Sequence, residues 1–178
     1  VGKGLSMVTL CYLRQYIVFC REMFSTSALD SVPLSSETQK FYSQLSGILS
    51  QFRAALQGSV NDEQRRVIMD ALGETGSAYR WNIYKHGFSG EVISTPVKDI
   101  VAFLDLAQQY VEHSLRANRR SDNLYHAYNI LHLDSGRASV SHLYEMLEGQ
   151  VAILSSGFLS ADESLLLLQS LRNSSLYQ

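Results

Sequence analysis

The spacing of apolar residues is helical over most of the chain. Between Phe41 and Leu56 they recur at every third or fourth position, which places them on one face of a helix. The same spacing runs from Val67 to Ile83 and from Val97 to Leu115. We predict an all-α fold, a single bundle of about seven antiparallel helices, with nothing extended beyond a short piece at Glu91 to Ile93. The predicted helices are 5–24, 36–56, 61–86, 96–116, 122–131, 141–155 and 161–171.

Start and stop residues mark the ends of several of these helices. In a capping box, a Ser, Thr, Asp or Asn at the helix start is followed three positions later by Glu or Gln. Pro favours the first helical position, and Gly after the last turn can adopt a left-handed conformation. Gly73 and Gly76 should weaken the third helix, and they mark a kink or a close crossing by a neighbouring helix. The end signals are Ser36 with Gln39, Asn61 with Gln64, Ser160 with Glu163, Thr95 before Pro96, and the glycines Gly58, Gly87 and Gly157.

The first predicted helix is apolar apart from one narrow polar stripe. Arg14 and Gln15, and then Arg21 and Glu22, repeat at an interval of seven residues. A central Arg costs a few kcal/mol in a membrane-spanning helix, about 3 on insertion scales. We therefore expect a central, buried helix of a globular fold and no membrane span.

Composition narrows the functional classes. The length of 178 residues suits a single domain over 1–178, which we expect to be all-helical. Because 15 Lys and Arg face 17 Asp and Glu, the net charge of −2 argues against a nucleic-acid partner. Two cysteines are too few for a disulfide framework, and no signal peptide is evident, so we expect a cytoplasmic protein. The start at Val1 and the end at Gln178, soon after a leucine-rich helix, suggest a fragment of a longer protein.

Motifs for metal, nucleotide or nucleophilic chemistry are missing from the sequence. No two of the five histidines stand three or four residues apart, the spacing that two metal ligands on one helix require. Cys11 and Cys20 are nine apart and lie on opposite faces of one helix. His132, Asp134 and Ser135 are neighbours in sequence, but a catalytic triad is built by convergence in space. We predict no metal site and no cofactor, and leave open whether the chain is an enzyme.

Aromatic and basic residues gather near the end of the third predicted helix. Trp81 and Lys85 are four residues apart, as are Arg80 and Tyr84, so a cation can lie over a ring on one helix face. Aromatic platforms with polar neighbours suit sugars and bases. The same residues also suit the boundary of a core, where amphipathic side chains pack their apolar parts. We refer to Arg80, Trp81, Tyr84 and Lys85 as the Trp81 cluster.

A second cluster, which we call the His126 cluster, consists of Arg120, Asp122, Tyr125 and His126. Asp122 stands four residues before His126, so on a helix its carboxylate could orient the imidazole and raise the imidazole pKa. The alternative is structural: Asp122 caps its own helix, and the arginines satisfy the end of the preceding helix.

The last two predicted helices resemble a helix-turn-helix in outline. The second of them begins with Ala161, Asp162 and Glu163, and phosphates would repel these carboxylates. The run Leu165 to Leu168 makes this helix apolar nearly all round. We expect it to be buried or docked on a partner rather than to read DNA.

Two segments of the last third resemble a helical portion of very large bacterial proteins that carry carbohydrate-active, phosphorylase-like regions. They are DNLYHAYNIL, residues 122–131, and LYEMLEGQVAILSSG, residues 143–157. The resemblance implies a helical domain beside or within a sugar-processing assembly and carries over no catalytic residue.

Two functions remain open at this point. The first is a non-catalytic helical module that packs against neighbouring domains, a protein partner or a second copy of itself. It requires a contiguous exposed apolar patch, near Leu165 to Leu168 or along the first helix. The alternative is a sugar-binding or carbohydrate-active domain, which requires the Trp81 and His126 clusters to line one concave surface.

Overall fold

The computed structural model describes residues 3–177 and contains both helices and strands, so the all-α prediction is wrong. Six of the seven predicted helices are present, but the predicted helix 122–131 is absent. The helices are α1 (Met7–Thr26), α2 (Ser36–Gln51), a 3₁₀ turn (Arg53–Gln57), α3 (Asp62–His86), α4 (Val97–Ala117), α5 (Leu147–Ser155) and α6 (Ala161–Arg172). The strands are β1 (Gly4–Ser6), β2 (Ser31–Ser35), β3 (Val92–Pro96), β4 (Tyr128–Asp134) and β5 (Arg137–His142).

The chain divides into two compact units. Unit 2 is Phe19–Ala107, and unit 1 comprises the residues up to Val18 together with those from Gln108 onward. Helices α1 and α4 each contribute one half to either unit. The single-domain assignment stays a prediction.

Unit 2 is built on the helix pair α2 and α3 and on a two-stranded antiparallel ribbon. Phe41 of α2 stacks on Tyr79 of α3 with ring centroids 4.5 Å apart, and Tyr42 meets Phe103 edge-on at 5.2 Å. Strands β2 and β3 pair from Ser31 opposite Pro96 to Ser35 opposite Val92. Pro33 lies in β2, where it is tolerated because a strand of a two-stranded ribbon has one unpaired edge.

Helix α3 has the predicted bounds. Asn61 and Gln64 form a complete capping box, and the Gly87 N–H closes the other end on the Ile83 carbonyl. A Cβ placed on Gly73 or Gly76 would meet no other part of the described chain within 4 Å. These two glycines therefore mark no close crossing within the described chain, and the helix continues through both.

Two other predicted caps are displaced. The α2 cap is Ser35 rather than Ser36, and its hydroxyl accepts from the Thr38 N–H at 3.2 Å. Thr95 lies in β3 instead of capping α4, and its buried Oγ1 has no hydrogen-bond partner among residues 3–177. The first N–H of α4, that of Val97, instead donates to the Asp30 carbonyl at 2.9 Å.

Unit 1 contains a three-stranded antiparallel sheet in the order β1, β4, β5. Strands β4 and β5 form a hairpin across Ser135 and Gly136, and Gly136 has a φ of 75°, as tight hairpin turns require. Asp134, Ser135 and Gly136 thus join two strands and not two helices. The apolar run that suggested helix 122–131 lies partly in β4 and partly in the loop before it.

Buried side chains hold that loop in a non-helical conformation. The Gln150 side chain, fully buried, accepts from the Tyr125 N–H at 2.9 Å and donates to the Tyr125 carbonyl at 2.7 Å. The Asn118 amide donates to the His126 carbonyl at 2.6 Å. Asn123 adopts a left-handed conformation with φ of 68°, which ends any helix there. Side chains from distant elements thus take the backbone groups that a helix would need.

Helix α5 begins six residues later than predicted, at Leu147, because Ser141 and His142 belong to β5. Its Gly149 packs against Ala127, and a Cβ there would lie 3.0 Å from the Cα and Cβ of Ala127. The capping box of α6, Ser160 with Glu163, is confirmed. Within residues 3–177, no helix combines the length and the apolar character that crossing a membrane demands.

Candidate functional site

The polar side of α1 is occupied by partners within the chain. Arg14, with only 13% of its side chain exposed, forms an ion pair with Glu112 at 2.8 Å and donates to the Ser156 carbonyl at 2.7 Å. That carbonyl lies just beyond the end of α5, where a cation is favourable. Further along, Arg21 pairs with Asp105 at 2.6 Å. Arg14 is therefore held against the rest of the chain, whereas Arg21 and Asp105 remain 40% and 48% exposed and Glu22 faces solvent.

The opposite side of α1 is aromatic and faces solvent. Tyr12, Tyr16, Phe19 and Met23 follow one another at intervals of four, three and four residues, which at about 100° per residue confines them to one narrow stripe. Tyr16 is 65% exposed and Phe19 60%, and the other two are exposed as well. We call these four residues the aromatic face of α1. It belongs to one continuous helix.

Sequence reasoning expected α1 to be central and buried, and it named an exposed patch along this helix only as a requirement of the interaction-module hypothesis, without identifying its residues. The signal was present in the sequence. Arg14 and Arg21 are seven residues apart, and they lie half a turn away from the stripe Tyr12, Tyr16 and Phe19. Because Arg14 and Arg21 pair with Glu112 and Asp105, the aromatic residues on the opposite side of α1 face solvent.

The Trp81 cluster lies exposed at the end of α3 in unit 2. Trp81 and Tyr84 are 60% and 71% exposed and meet edge to face with ring centroids 5.9 Å apart. Arg80 and Lys85 are also exposed beside them. The structure thus brings the four predicted residues together on the surface of one helix.

The His126 cluster, in unit 1, is held together by ion pairs. Arg120 donates to both carboxylate oxygens of Asp122, at 3.0 and 2.8 Å, and to Glu145 at 2.8 Å. The hydrogen bond from Arg120 lowers the pKa of Asp122. Asp122 also accepts from the Leu124 N–H at 3.1 Å. It therefore shapes the turn that precedes the buried loop and caps no helix.

His126 is positioned by a second histidine rather than by Asp122. Its ring stacks on that of His142 with centroids 3.9 Å apart and planes 6° from parallel. Burial, the neighbouring His142 and Arg120 lower the pKa of His126, and the smaller opposing effect of Asp122, which raises it, does not offset them. Tyr125 is 4% exposed, which leaves its ring unavailable as an open stacking platform.

A small cavity lies beside His126 and is lined by Cys11, Tyr125 and Gly149 among others. Its volume of about 10 Å³ is close to the minimum for a single water molecule. The buried Nδ1 of His126 has no hydrogen-bond partner in the described chain and is the group such a water would satisfy. Burial raises the pKa of the Cys11 thiol to about 11, so at neutral pH it is not a nucleophilic thiolate.

One histidine-hydroxyl contact was not expected from the sequence. His132 Nε2 lies 2.8 Å from Ser141 Oγ across the β4–β5 hairpin, so His132 meets Ser141 and not the adjacent Ser135. Both residues are exposed on the hairpin surface. A nucleophile needs donors for the developing oxyanion as well as a base, and an open hairpin surface offers little to exclude water.

Residues of α5 and α6 provide further exposed apolar surface in unit 1. Leu165, Leu166 and Leu168 are exposed, whereas Leu167 is buried, and docking of this helix on a partner stays a prediction. Leu147 and Val151 of α5 are exposed too.

No group of three metal-ligating side chains within residues 3–177 is placed to hold an ion. Neither the protein-family models nor the curated proteins include a match to this chain.

Proposed function

We propose that this chain is a non-catalytic interaction module whose binding surface is the aromatic face of α1. The observation that carries the proposal is the orientation of that helix, in which Arg14 is buried in an ion pair while Tyr16 and Phe19 face solvent. Exposed contiguous apolar surface of this kind marks interaction sites in proteins. Aromatic residues are also the side chains that most often dominate binding energy at interfaces.

The buried half of the helix supports the same function. Arg14 makes hydrogen bonds to Glu112 and Ser156, so its side chain holds the helix in one rotational setting about its axis. A partner then meets a preorganised surface and need not order it, which lowers the cost of association. We place this activity in the cytoplasm.

A site-specific photocrosslinker tests the proposal in cells that naturally produce the protein. The crosslinking amino acid replaces Tyr16, and mass spectrometry identifies what it captures on irradiation. We expect one discrete protein product, which disappears when Phe19→Glu is added because the carboxylate would be desolvated in an apolar contact.

The same crosslinker at Tyr84 is the matched control, because Tyr84 is an equally exposed tyrosine on another helix. Both variants should fold, since neither residue is buried. Equal crosslinking patterns at the two positions, or a pattern that Phe19→Glu leaves unchanged, would overturn the proposal.

The Trp81 cluster favours a second candidate function, sugar binding. Its exposed, edge-to-face Trp81 and Tyr84 beside two cations offer stacking and hydrogen bonding to a saccharide. In this form the candidate rests on the Trp81 cluster alone, since Tyr125 is buried. A thermal-shift screen with mono- and oligosaccharides tests it. A saturable shift that Trp81→Ala abolishes supports sugar binding, and the absence of any shift refutes it.

A further inference from the structure

Phe88 adds a third exposed ring near the Trp81 cluster. It lies two residues after the end of α3 and is 58% exposed, compared with 60% for Trp81 and 71% for Tyr84. At about 100° per residue, the four residues of the cluster fall within an arc of about 140° around the helix. We call the Trp81 cluster together with Phe88 the Trp81 tip, and all of its residues belong to unit 2.

The loop that carries Phe88 is held in place. Gly87 and Gly90 have φ values of 70° and 85°, a conformation that suits glycine. Between them, the Ser89 N–H donates to Oε1 of Glu37 at 2.8 Å, and Oε2 of Glu37 is buried. The Glu37 carboxylate is therefore directed into the loop and not onto its exposed surface. A partner meets Phe88 in a loop that is already ordered, which lowers the cost of association.

The charge of the Trp81 tip is positive. Between Glu74 and Glu91 the sequence contains Arg80 and Lys85 and no carboxylate. Within residues 3–177 no ion pair neutralises either cation. Glu74 lies on the same helix about 10 Å before Trp81, away from the end of α3. The surface that complements the tip is therefore anionic.

The combination of rings and cations fits the headgroup region of a lipid membrane. Trp and Tyr are enriched at membrane interfaces, where the ring meets an apolar layer and its polar group stays in water. Arg and Lys can pack their aliphatic stems on the same layer and keep their charges outside it. A small ligand is held best in a concave site, whereas the three rings of the tip are each more than half exposed. An extended anionic surface can contact all of them without enclosing them.

We infer that the Trp81 tip docks unit 2 on an anionic membrane surface, with its three rings at the level of the headgroups and Arg80 and Lys85 against lipid phosphates and carboxylates. The cytoplasmic leaflet carries such negative charge. Docking is peripheral and reversible, because a few side chains enter the interface and no helix crosses it. The inference does not rest on the aromatic face of α1, which is a different surface.

Trp81 is the single tryptophan of the chain, so its fluorescence reports on the tip directly. The full chain is mixed with vesicles of phosphatidylcholine and phosphatidylserine, and cosedimentation and tryptophan emission are measured on the same samples. We expect cosedimentation and a shift of the emission to shorter wavelength, and neither with vesicles of phosphatidylcholine alone. Raising the salt from about 0.1 to 1 M shortens the Debye length from about 10 to 3 Å and should release the chain.

Charge reversal at the tip has a matched control in the same unit. Arg80→Glu and Lys85→Glu should each weaken vesicle binding by at least about fivefold, the contribution of one cation near an anionic surface. Lys98 is an exposed cation two residues beyond the Pro96 end of the ribbon of β2 and β3, whereas the tip precedes its Val92 end. Lys98→Glu should therefore bind vesicles like the unchanged protein.

A second pair of variants tests the rings. Phe88→Ser should weaken binding and reduce the emission shift of Trp81, because one of the three rings no longer enters the interface. Tyr144→Ser is the matched control, since Tyr144 is 76% exposed and belongs to unit 1. All four substituted positions other than Tyr144 are exposed as well, so each variant should fold.

Several results would overturn the inference. One is the absence of cosedimentation with the phosphatidylserine vesicles at the lower salt. Others are binding without a change in Trp81 emission, and equal losses of binding in Arg80→Glu and Lys98→Glu. Sugar binding would use the same cluster but a different ligand. A thermal shift with a soluble saccharide, together with no binding to vesicles, supports the sugar candidate and refutes membrane docking.

Discussion

Helix α3 of unit 2 and the segment from Asn118 to His142 of unit 1 differ in how far their own residues determine their structure. Asn61, Gln64 and Gly87 define both ends of α3, and none of its residues is buried. In the other segment Leu124, Tyr125 and Ala127 are among the most buried residues of the chain, and Gln150 and Asn118 bind its backbone. Local signals determine an exposed element, whereas a buried segment adopts the conformation that its surroundings satisfy.

The largest effect should come from the amide that holds the buried loop. Gln150→Leu keeps the volume but leaves the Tyr125 N–H and carbonyl without partners in the core, which costs about 3 kcal/mol of unfolding free energy. Urea denaturation followed by circular dichroism measures the change. Gln169→Leu, on the exposed side of α6, should change stability by less than about 0.5 kcal/mol. Similar small losses for both variants would show that the amide does not determine the loop.

The next largest loss of stability should come from substituting a glycine that lies beside the same loop. In Gly149→Ala the new Cβ lies 3.0 Å from backbone and side-chain atoms of Ala127, so α5 and the loop must separate. Overpacking of this kind costs about 1 to 3 kcal/mol. The midpoint of urea denaturation should fall accordingly. An unchanged midpoint would mean that Gly149 and Ala127 can move apart without a loss of unfolding free energy.

Acidification should weaken unit 1 before it affects carboxylates. The folded pKa of His126 lies below its unfolded value, so the unfolded chain takes up a proton first as the pH falls below about 6.5. The stability provided by neutral His126 is therefore present above that pH and is lost below it. The unfolding free energy of the unchanged protein should drop as the pH falls below about 6.5, and His126→Gln should reduce the drop. An equal pH dependence in both proteins would refute this role of His126.

The smallest predicted effect has the opposite sign and lies in α3. Gly73→Ala meets no neighbouring atom in the described structure and removes a flexible residue from a helix interior. Stability should rise by about 0.5 to 1 kcal/mol, seen as a higher thermal midpoint. Gly76→Ala should behave in the same way. Destabilisation by either variant would indicate a contact that these glycines make with a partner.

The same contrast explains which predictions from sequence succeeded. The bounds of α3 and the capping boxes at Asn61 and Ser160 were predicted correctly, because each depends on residues three positions apart. Helix 122–131 and the absence of strands were wrong. Strand β4 depends on pairing with Gly4–Ser6 and Arg137–His142, and periodicity within one segment does not contain such long-range contacts.

The two candidate sites also differ in how far their residue contacts could be predicted from the sequence. The grouping of Arg80, Trp81, Tyr84 and Lys85 could be predicted, since four residues within two turns of a helix must share its surface. The pairing of Asp122 with Arg120 rather than with His126 could not, because it depends on the turn at Asn123. The stack of His126 on His142 depends on the hairpin.

The residue pattern of α1 alone predicts a helix that is apolar apart from one narrow polar stripe. That pattern does not predict that Tyr16 and Phe19 face solvent, because apolar residues of a helix are expected to be buried. The tertiary structure buries only Cys11, Ile17 and Cys20 of the apolar surface of α1 and leaves the aromatic side exposed, while Glu112 and Asp105 pair with Arg14 and Arg21. Ion-paired and apolar side chains both occupy space in the interior. Which of them are buried depends on the positions of residues that are distant in the sequence.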